Sequence, residues 1–429
     1  MVDFEVLVLG GGVAGVAAAL AAAGRGRRTA LVRAAPGATA LASGAWRGPL
    51  PDSLAAALAA AGIPHAPTAG PLPHPSGALH ACDYAAPAQH AAILEDDVLV
   101  CGIVGLAGFH APALARLWGA AAGAMLEGTA LELAGTPAAG WSPASLAALL
   151  DRQPGRLAEP LARAVHAAGA RRVILPAVLG IEQTGAILDA LADAAGVPVG
   201  EALGTPPSLP GWRLDRALLA ALDAAGVEVI PGRAVAGAST GRRLDAVHVR
   251  RAASGDAASA LAPLRVTART FVLATGKFLA GGITTEIPLE EPVLGCPVHV
   301  ERIGGAEPSW STPWRLTGDL PAEPIRAPGT RTPPGVPPTA SPHAAAPIPA
   351  PAAPLDPLAL TRRERTATHP LLCAGVRTDA AGRPVDGTGD VVYENVRVAG
   401  SIRAGHQVAT LGLGAAALDG WQAGERAAT

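Results

Sequence analysis

Three glycines near the start of the chain have the spacing of a phosphate-binding turn. Gly10, Gly12 and Gly15 lie between an apolar segment, residues 5–9, and an alanine-rich segment, residues 16–24. In a strand–turn–helix unit the first glycine permits a tight turn, and the second lets a pyrophosphate approach the backbone. The third lets helix and strand pack closely, and the free N–H groups of the helix N-terminus favour an anion. The spacing therefore predicts a bound dinucleotide.

The residue at the end of the second predicted strand departs from the usual pattern. An Asp or Glu commonly ends this strand and binds the ribose hydroxyls of the dinucleotide, whereas Thr29–Arg33 ends in an arginine. An arginine suits a phosphate, as in NADP, and it weakens the case for an ordinary contact with adenosine ribose. We include Arg33 among the predicted cofactor residues and leave the dinucleotide open.

A later apolar strand, Leu264–Leu273, is followed by Ala274-Thr275-Gly276. Small residues are needed where a cofactor passes close to the backbone, so Thr275 and Gly276 are predicted to border the same cofactor as the glycine turn. Lys277 comes next and is the single lysine among 33 basic residues. Its isolation indicates a place for a compact ammonium, with an ordinary surface lysine as the alternative.

The third motif closes the chain. The predicted strand at residues 396–399 ends in Gly400-Ser401, and Gly412 and Gly414 open the last predicted helix. In many flavoproteins such a strand runs to the ribityl chain and such a helix points at the flavin. A helix N-terminus stabilises the negative charge of a reduced flavin by about 0.5–1 kcal/mol. The three motifs in this order predict a flavoprotein.

With these motifs in place, the chain resembles the B-subunit family of the anaerobic glycerol-3-phosphate dehydrogenase, within the two-dinucleotide-domain flavoprotein superfamily. The matching strings lie at residues 8–15, 42–44, 100–109, 174–177, 206–208, 211–214, 273–282, 291–295 and 375–379. The 42–44 string adds Ser43 and Gly44 to the predicted cofactor residues. The resemblance covers nearly the whole chain except a proline-rich stretch.

The resemblance implies a quinone-linked flavoenzyme complex. The flavin would be FMN by the resemblance and FAD by the glycine motif, and both stay open. The reaction would oxidise sn-glycerol 3-phosphate to dihydroxyacetone phosphate. The partners would be a larger A subunit, which bears FAD, together with an iron–sulfur C subunit that passes electrons towards quinone. Cys82, Cys101, Cys296 and Cys373 form no CxxC pair, which agrees with electrons leaving through a partner.

Four side chains are candidates for the chemistry. Oxidation of a secondary alcohol needs a base for the hydroxyl proton and cations for the phosphate. His406, between the closing strand and the last helix, is the candidate base, and Lys277 is a second catalytic candidate. Arg213 and Arg403 are candidate phosphate ligands. Each has a structural alternative: a loop histidine, a surface lysine, or an inter-lobe arginine. No metal site is expected.

The motifs require an α/β protein, a Rossmann-like FAD/NAD(P)-binding domain with an inserted second α/β domain. We assign residues 1–95 to the first part of the flavin domain and 96–262 to the inserted substrate or cap domain. Residues 263–320 would return to the flavin domain and 361–429 would close it. Between them, residues 321–360 form a Pro/Ala-rich insert, with thirteen prolines in 321–357.

Composition narrows the class of protein further. The chain has 429 residues and a net charge of −2, and it has no long basic run, which argues against nucleic-acid binding. Scattered cysteines argue against a disulfide scaffold. The segment at residues 6–23 lacks the basic flank of a signal peptide. We expect a cytoplasmic protein, peripheral at the inner membrane through a partner if at all. The alanine excess is attributed partly to genomic base composition.

Two other functions stay open beside the dehydrogenase. One is a flavin electron-transfer or scaffold subunit whose own substrate pocket is vestigial. The other is a different flavoprotein oxidoreductase of the same superfamily, such as a fumarate-reductase-like or tRNA-modifying type, although the latter would need a large basic surface.

Overall fold

The structure is a computed structural model that describes residues 2–251, 262–285, 289–300, 370–406 and 408–429. The proline-rich stretch assigned to 321–360 lies outside the described residues. The strands are β1 (Val2–Leu9), β2 (Thr29–Arg33), β3 (Ala45–Trp46), β4 (Ala66–Pro67), β5 (Leu72–Pro73), β6 (Leu79–His80), β7 (Tyr84–Ala85), β8 (Val98–Ile103), β9 (Leu126–Leu131), β10 (Arg172–Leu175), β11 (Val199–Glu201), β12 (Glu228–Pro231), β13 (Arg233–Thr240), β14 (Arg243–Arg250), β15 (Leu264–Leu273), β16 (Val298–His299), β17 (Gly375–Val376) and β18 (Val396–Val398).

Ten α-helices accompany these strands in the described part of the chain. They are α1 (Val13–Gly24), α2 (Asp52–Ala60), α3 (Pro87–His90), α4 (Ala111–Ala122), α5 (Pro143–Arg152), α6 (Ala158–Ala168), α7 (Thr184–Ala195), α8 (Leu209–Ala224), α9 (Pro370–Cys373) and α10 (Val408–Ala428). Among the described residues, none of them is both long enough and apolar enough to span a membrane.

A seven-stranded sheet forms the first lobe, in the order β12-β2-β1-β15-β14-β13 with β18 also paired to β15. The strands β12, β2, β1, β15 and β18 run parallel, while β13 and β14 form an antiparallel extension. Parallel strands bring their carboxyl ends to one edge of the sheet. The ends of β1, β15 and β18, which carry the three predicted motifs, are therefore neighbours.

A four-stranded parallel sheet forms the second lobe, in the order β11-β10-β8-β9. Every residue of β8 is buried, as expected for a strand covered on both faces. Helices α5, α6 and α7 contribute Leu146, Leu161 and Ile187 to its core. The prediction of a Rossmann-like α/β fold with a second α/β lobe is confirmed by these two sheets.

The chain returns to the first lobe earlier than the expected boundary at residue 262. The second sheet ends at β11, and α8 already packs on α1, with Leu214 and Leu218 in the same core as Val16. Next, β12 pairs with β2 in parallel, with Val229 opposite Leu31. Since β12 is a short strand after a helix, its partner could not be identified from local sequence.

Helices α1 and α10 pack very closely against each other. A Cβ added at Gly420 would overlap the backbone of Ala14, and one added at Gly424 would overlap the carbonyl oxygen of Ala18. Ala17 and Ala18 are fully buried at this contact. Small residues on both helices therefore set their spacing, and α10 holds the closing segment against the glycine turn.

We expect Gly424→Ala to destabilise the protein by about 1–3 kcal/mol, because the added methyl group overpacks the α1–α10 contact. Gly24→Ala is the matched control, since a Cβ there has no neighbour within 4 Å. Urea unfolding followed by circular dichroism measures both. Equal midpoints for the two variants would contradict the close packing.

Candidate active site

The glycine turn is built from backbone contacts that exclude side chains. Gly10 has a φ of 117° and packs against the carbonyl of Ala274, where a Cβ would overlap. A Cβ on Gly15 would overlap the carbonyl oxygen of Gly10. Gly12 is the N-cap of α1, and Thr39 Oγ1 accepts the Val13 N–H at 2.9 Å. The first turn of α1 thus faces the edge of the sheet where a phosphate would bind.

The end of β15 lies directly beside this turn. Ala274 N–H donates to the carbonyl of Leu9 at 2.9 Å, which joins the two strand ends. Thr275 Oγ1 is buried and has no hydrogen-bond partner among the described residues. Gly276 has a φ of 75°, and a Cβ there would lie 3.7 Å from Ser401 Oγ. The second motif therefore connects the first to the third.

The closing segment completes the same edge. β18 pairs with β15, with Val398 opposite Leu273. Gly400 has a φ of 74°, and a Cβ there would lie 2.5 Å from the Cβ of Ala14. Its N–H donates to Asp419 Oδ2 of α10 at 2.7 Å. The structure thus brings together Gly10, Gly15, Thr275, Gly276, Gly400 and Ser401, which were predicted from three distant parts of the sequence.

The remaining predicted glycines flank this edge. Gly412 has a φ of 71° and interrupts the helical geometry of α10 where it packs on Arg47. Gly414 packs on Gly48, where a Cβ would overlap the backbone. Both contacts bring the start of the last helix against the chain that follows β3. The predicted position of this helix beside a cofactor stays a prediction.

Ser43 and Gly44 contact the chain after β11 and the first residues of α8. The carbonyl oxygen of Ser43 accepts the Gly204 N–H at 2.7 Å. Gly44 has a φ of 94°, and a Cβ there would lie 2.8 Å from Pro210 Cβ and 3.0 Å from Gln89 Cδ. Their predicted contact with a cofactor stays a prediction.

Arg33 forms a nearly buried ion pair with Asp215 of α8, with Nη2 2.6 Å from Oδ2. Its alkyl chain lies over Gly11, where a Cβ would be 2.6 Å from Arg33 Cγ. Asp215 neutralises the guanidinium of Arg33. The end of β2 therefore presents an ion pair where dinucleotide-binding domains usually have an unpaired carboxylate. Asp215 was missed because nothing in its local sequence indicates a partner 182 residues away.

Arg213 lies between the lobes in a buried ionic network. Its Nη1 is 2.5 Å from Glu201 Oε2, and its Nε donates to the carbonyl of Gly180 at 2.8 Å. The side chains of Arg213 and Glu201 are 6% and 0% exposed. Gln89 Nε2 also donates to Glu201, at 2.8 Å. This is the inter-lobe alternative given for Arg213, and Glu201 is the residue that sequence reasoning missed. A role for Arg213 in binding phosphate stays a prediction.

His406 follows the closing strand and has a buried side chain, 8% exposed. Its Nε2 has no hydrogen-bond partner among the described residues. Burial lowers the pKa of His406, Lys277 and Arg403 lower it further, and Asp419 opposes them. A neutral imidazole with an unpaired nitrogen has the properties of a proton acceptor.

Arg403 and Lys277 are the two cations that lower the pKa of this histidine. Arg403 forms an ion pair with Asp419 and donates from Nη2 to Thr378 Oγ1 at 3.1 Å. Its side chain is 35% exposed, so it is more accessible than Arg213. Lys277 Nζ donates to the carbonyl oxygen of His406 at 2.9 Å and to that of Leu372. Burial lowers the pKa of Lys277 to about 8.

These residues fit a bound flavin. The turn at Gly10–Gly15 provides backbone space and a helix N-terminus for phosphate, and Thr275 Oγ1 and His406 Nε2 are polar atoms in need of partners. No group of three or more His, Cys, Asp or Glu side chains suited to a metal is found among the described residues.

Comparison with known proteins agrees with this geometry. The chain matches the family described as FAD binding domain over residues 5–68 and 141–416, and it belongs to that family. It is similar to the probable anaerobic glycerol-3-phosphate dehydrogenase B subunit of Halobacterium salinarum, at 28% identity over 100% of this chain and 98% of that protein. The corresponding B subunit of Pectobacterium atrosepticum is 28% identical over 69% of this chain and 80% of its own length. The resemblance to these B subunits is confirmed.

Among solved structures, a 3-ketosteroid dehydrogenase from Rhodococcus jostii RHA1 aligns with 100% of this chain and 97% of its own. The TM-score is 0.38 and the sequence identity 14%. A likeness of this degree says nothing about activity.

We expect Glu201→Gln to cost about 3–5 kcal/mol of stability, because it leaves the Arg213 guanidinium buried without its counter-ion. Glu159→Gln is the matched control, since the Glu159–Arg163 pair is 80% and 69% exposed and is expected to contribute less than about 1 kcal/mol. Urea unfolding measures both variants. Similar midpoints would show that the inter-lobe ion pair is not stabilising the fold.

Proposed function

We propose that this chain is the flavin-binding subunit of a dehydrogenase complex that oxidises sn-glycerol 3-phosphate to dihydroxyacetone phosphate. The observation that carries the proposal is the meeting of the glycine turn, Thr275–Gly276 and Gly400–Ser401 at one sheet edge, with the unpaired His406 Nε2 close by in the chain. The full-length similarity to a protein named as the B subunit of such a dehydrogenase supports the substrate class.

Each of these residues is proposed to have the role that suits its chemistry. A flavin, when bound, supplies the acceptor for the hydride that leaves the alcohol carbon. The N-terminus of α1 would hold a phosphate of the cofactor, and the glycines would let it lie against the backbone. His406 Nε2 would accept the proton of the substrate hydroxyl, because burial and two neighbouring cations keep the imidazole uncharged. Arg403, the more accessible candidate arginine, would bind the substrate phosphate.

The flavin is proposed as FMN or FAD. The resemblance to the B-subunit family favours FMN, and the pairing of Arg33 with Asp215 supports it, because no lone carboxylate is left at the end of β2 for adenosine ribose. The glycine turn and the match to the FAD-binding family favour FAD. Chromatography of the flavin released by acid identifies which one the chain carries.

The relatives' names support an assembly of several subunits, since both proteins are named as B subunits. The resemblance to the B-subunit family suggests the two partners that we propose for this chain, a larger A subunit, which bears FAD, and an iron–sulfur C subunit. The iron–sulfur partner would pass electrons to quinone and would supply the attachment to the inner membrane.

A second candidate function is electron transfer without substrate oxidation in this subunit. It is favoured by the ion pairs of Arg213 with Glu201 and of Arg403 with Asp419, since both candidate phosphate ligands already have carboxylate partners. In that case the flavin would be reduced by a partner protein, and His406 would be a structural histidine.

We expect glycerol 3-phosphate, added anaerobically to the flavin-loaded chain, to bleach the visible flavin absorption. His406→Gln should slow the bleaching by about 100-fold or more, because the proton acceptor is lost. His166→Gln, on the exposed face of α6, is the control and should leave the rate unchanged.

The two functions give different results in this experiment. A bound flavin that dithionite reduces and glycerol 3-phosphate does not would favour electron transfer. A protein that holds no flavin after reconstitution would contradict both functions.

A further inference from the structure

Lys277 joins three segments that are far apart in the chain. It follows β15, and its Nζ donates to the carbonyl oxygen of Leu372 in α9 and to that of His406 at 2.9 Å. An ammonium has three N–H donors, so two of them are taken by main-chain oxygens. These two hydrogen bonds hold the main chain of His406 in a fixed position relative to the end of β15.

The imidazole of His406 lies among several charges. Asp419 is the acid near it, and Arg403 and Lys277 are the cations. The charge of Asp419 is shared, because this carboxylate pairs with Arg403 and also accepts the Gly400 N–H at 2.7 Å. Cys373, beside Lys277, is the other titratable group near the ammonium. Lys277 is therefore the cation near the imidazole that has no carboxylate partner among the described residues.

We propose that Lys277 is a positioning residue for His406: it fixes the main chain of the histidine and keeps the imidazole in its uncharged, proton-accepting form. This inference rests on the proposed function, in which His406 accepts the substrate proton. It changes the part expected of Lys277 from a catalytic group to one that acts through its neighbour.

The residue type suits this role. Two carbonyl oxygens from different segments can be reached by one compact ammonium on a flexible stem, whereas a guanidinium presents its donors in a planar fork. This gives a physical reason for a lysine at this position in a chain that otherwise uses arginine. Lys277→Arg therefore keeps the charge and alters the contacts, while Lys277→Met removes both.

The first test is a histidine-labelled NMR titration of the full chain without substrate, with the His406 signal assigned by its loss in His406→Gln. The imidazole signal should show a second inflection near pH 8, where Lys277 loses its proton. In Lys277→Met that inflection should disappear and His406 should titrate at higher pH, because a cation that lowers its pKa is gone. Lys277→Arg should keep His406 titrating at the lower pH.

Arg233→Met is the matched control. Arg233 Nη2 donates to the carbonyl of Gly281, 3.4 Å away, in the same loop, and Arg233 is not among the charges acting on His406. Its removal should leave the His406 titration unchanged. An unchanged titration in Lys277→Met, or an equal change in Arg233→Met, would overturn the inference. Should Lys277→Met fail to fold, absence of the inflection near pH 8 in the natural chain would overturn it instead.

The second test uses the pH profile of flavin reduction by glycerol 3-phosphate. Relative to the natural chain, Lys277→Met should lower the ratio of the reduction rate at pH 6 to that at pH 8 by about threefold or more, because more of its imidazole is protonated at pH 6. A merely structural loss would lower the rate equally at both pH values. His406→Gln with an unchanged reduction rate would instead contradict the proposed function, while the NMR titration would still report the coupling of Lys277 to His406.

Discussion

The site depends on close contact between main-chain atoms at one edge of the large sheet, where its parallel strands end. The turn after β1 packs on the carbonyl of Ala274, and Gly400 packs on Ala14, with no room for a side chain at either contact. Because β1, β15 and β18 are parallel neighbours, these contacts bring three distant motifs to one place. A Cβ at Gly10 would push the turn away from the end of β15, and a Cβ at Gly15 would push α1 away from the turn. Either change would open the edge where phosphate would bind.

Buried ion pairs are the second constraint, and they explain where several arginines are used. Arg213 joins α8 to β11 through Glu201, and Arg33 joins β2 to α8 through Asp215. Both pairs therefore converge on α8, the helix by which the chain leaves the second lobe. Charges removed from water require such partners, so each arginine is committed to the fold before any ligand is considered. Arg403 is also paired, but its side chain is 35% exposed, so water still reaches it.

The sequence predicted the parts of the molecule that depend on local patterns. The glycine turn, the strand before Thr275 and the strand before Gly400 have short-range signals, and all three were found where expected. The place of β12 in the large sheet could not be predicted, because it depends on pairing with β2, which is far away in the sequence. The partners of Arg33 and Arg213 were missed for the same reason, since a single carboxylate gives no local sign of the cation it will meet.

The alanine excess has a structural consequence that composition alone did not reveal. In α1 the alanines at positions 17, 18 and 19 are fully buried, and on the α10 side Gly420 and Gly424 meet the backbone of that helix. Side chains this small contribute little apolar area each, so the helices must approach closely to bury enough surface. That spacing in turn brings Asp419 of α10 within reach of the Gly400 N–H and of Arg403. Genomic bias towards alanine can supply such residues, but their burial between α1 and α10 helps to hold the closing segment against the glycine turn.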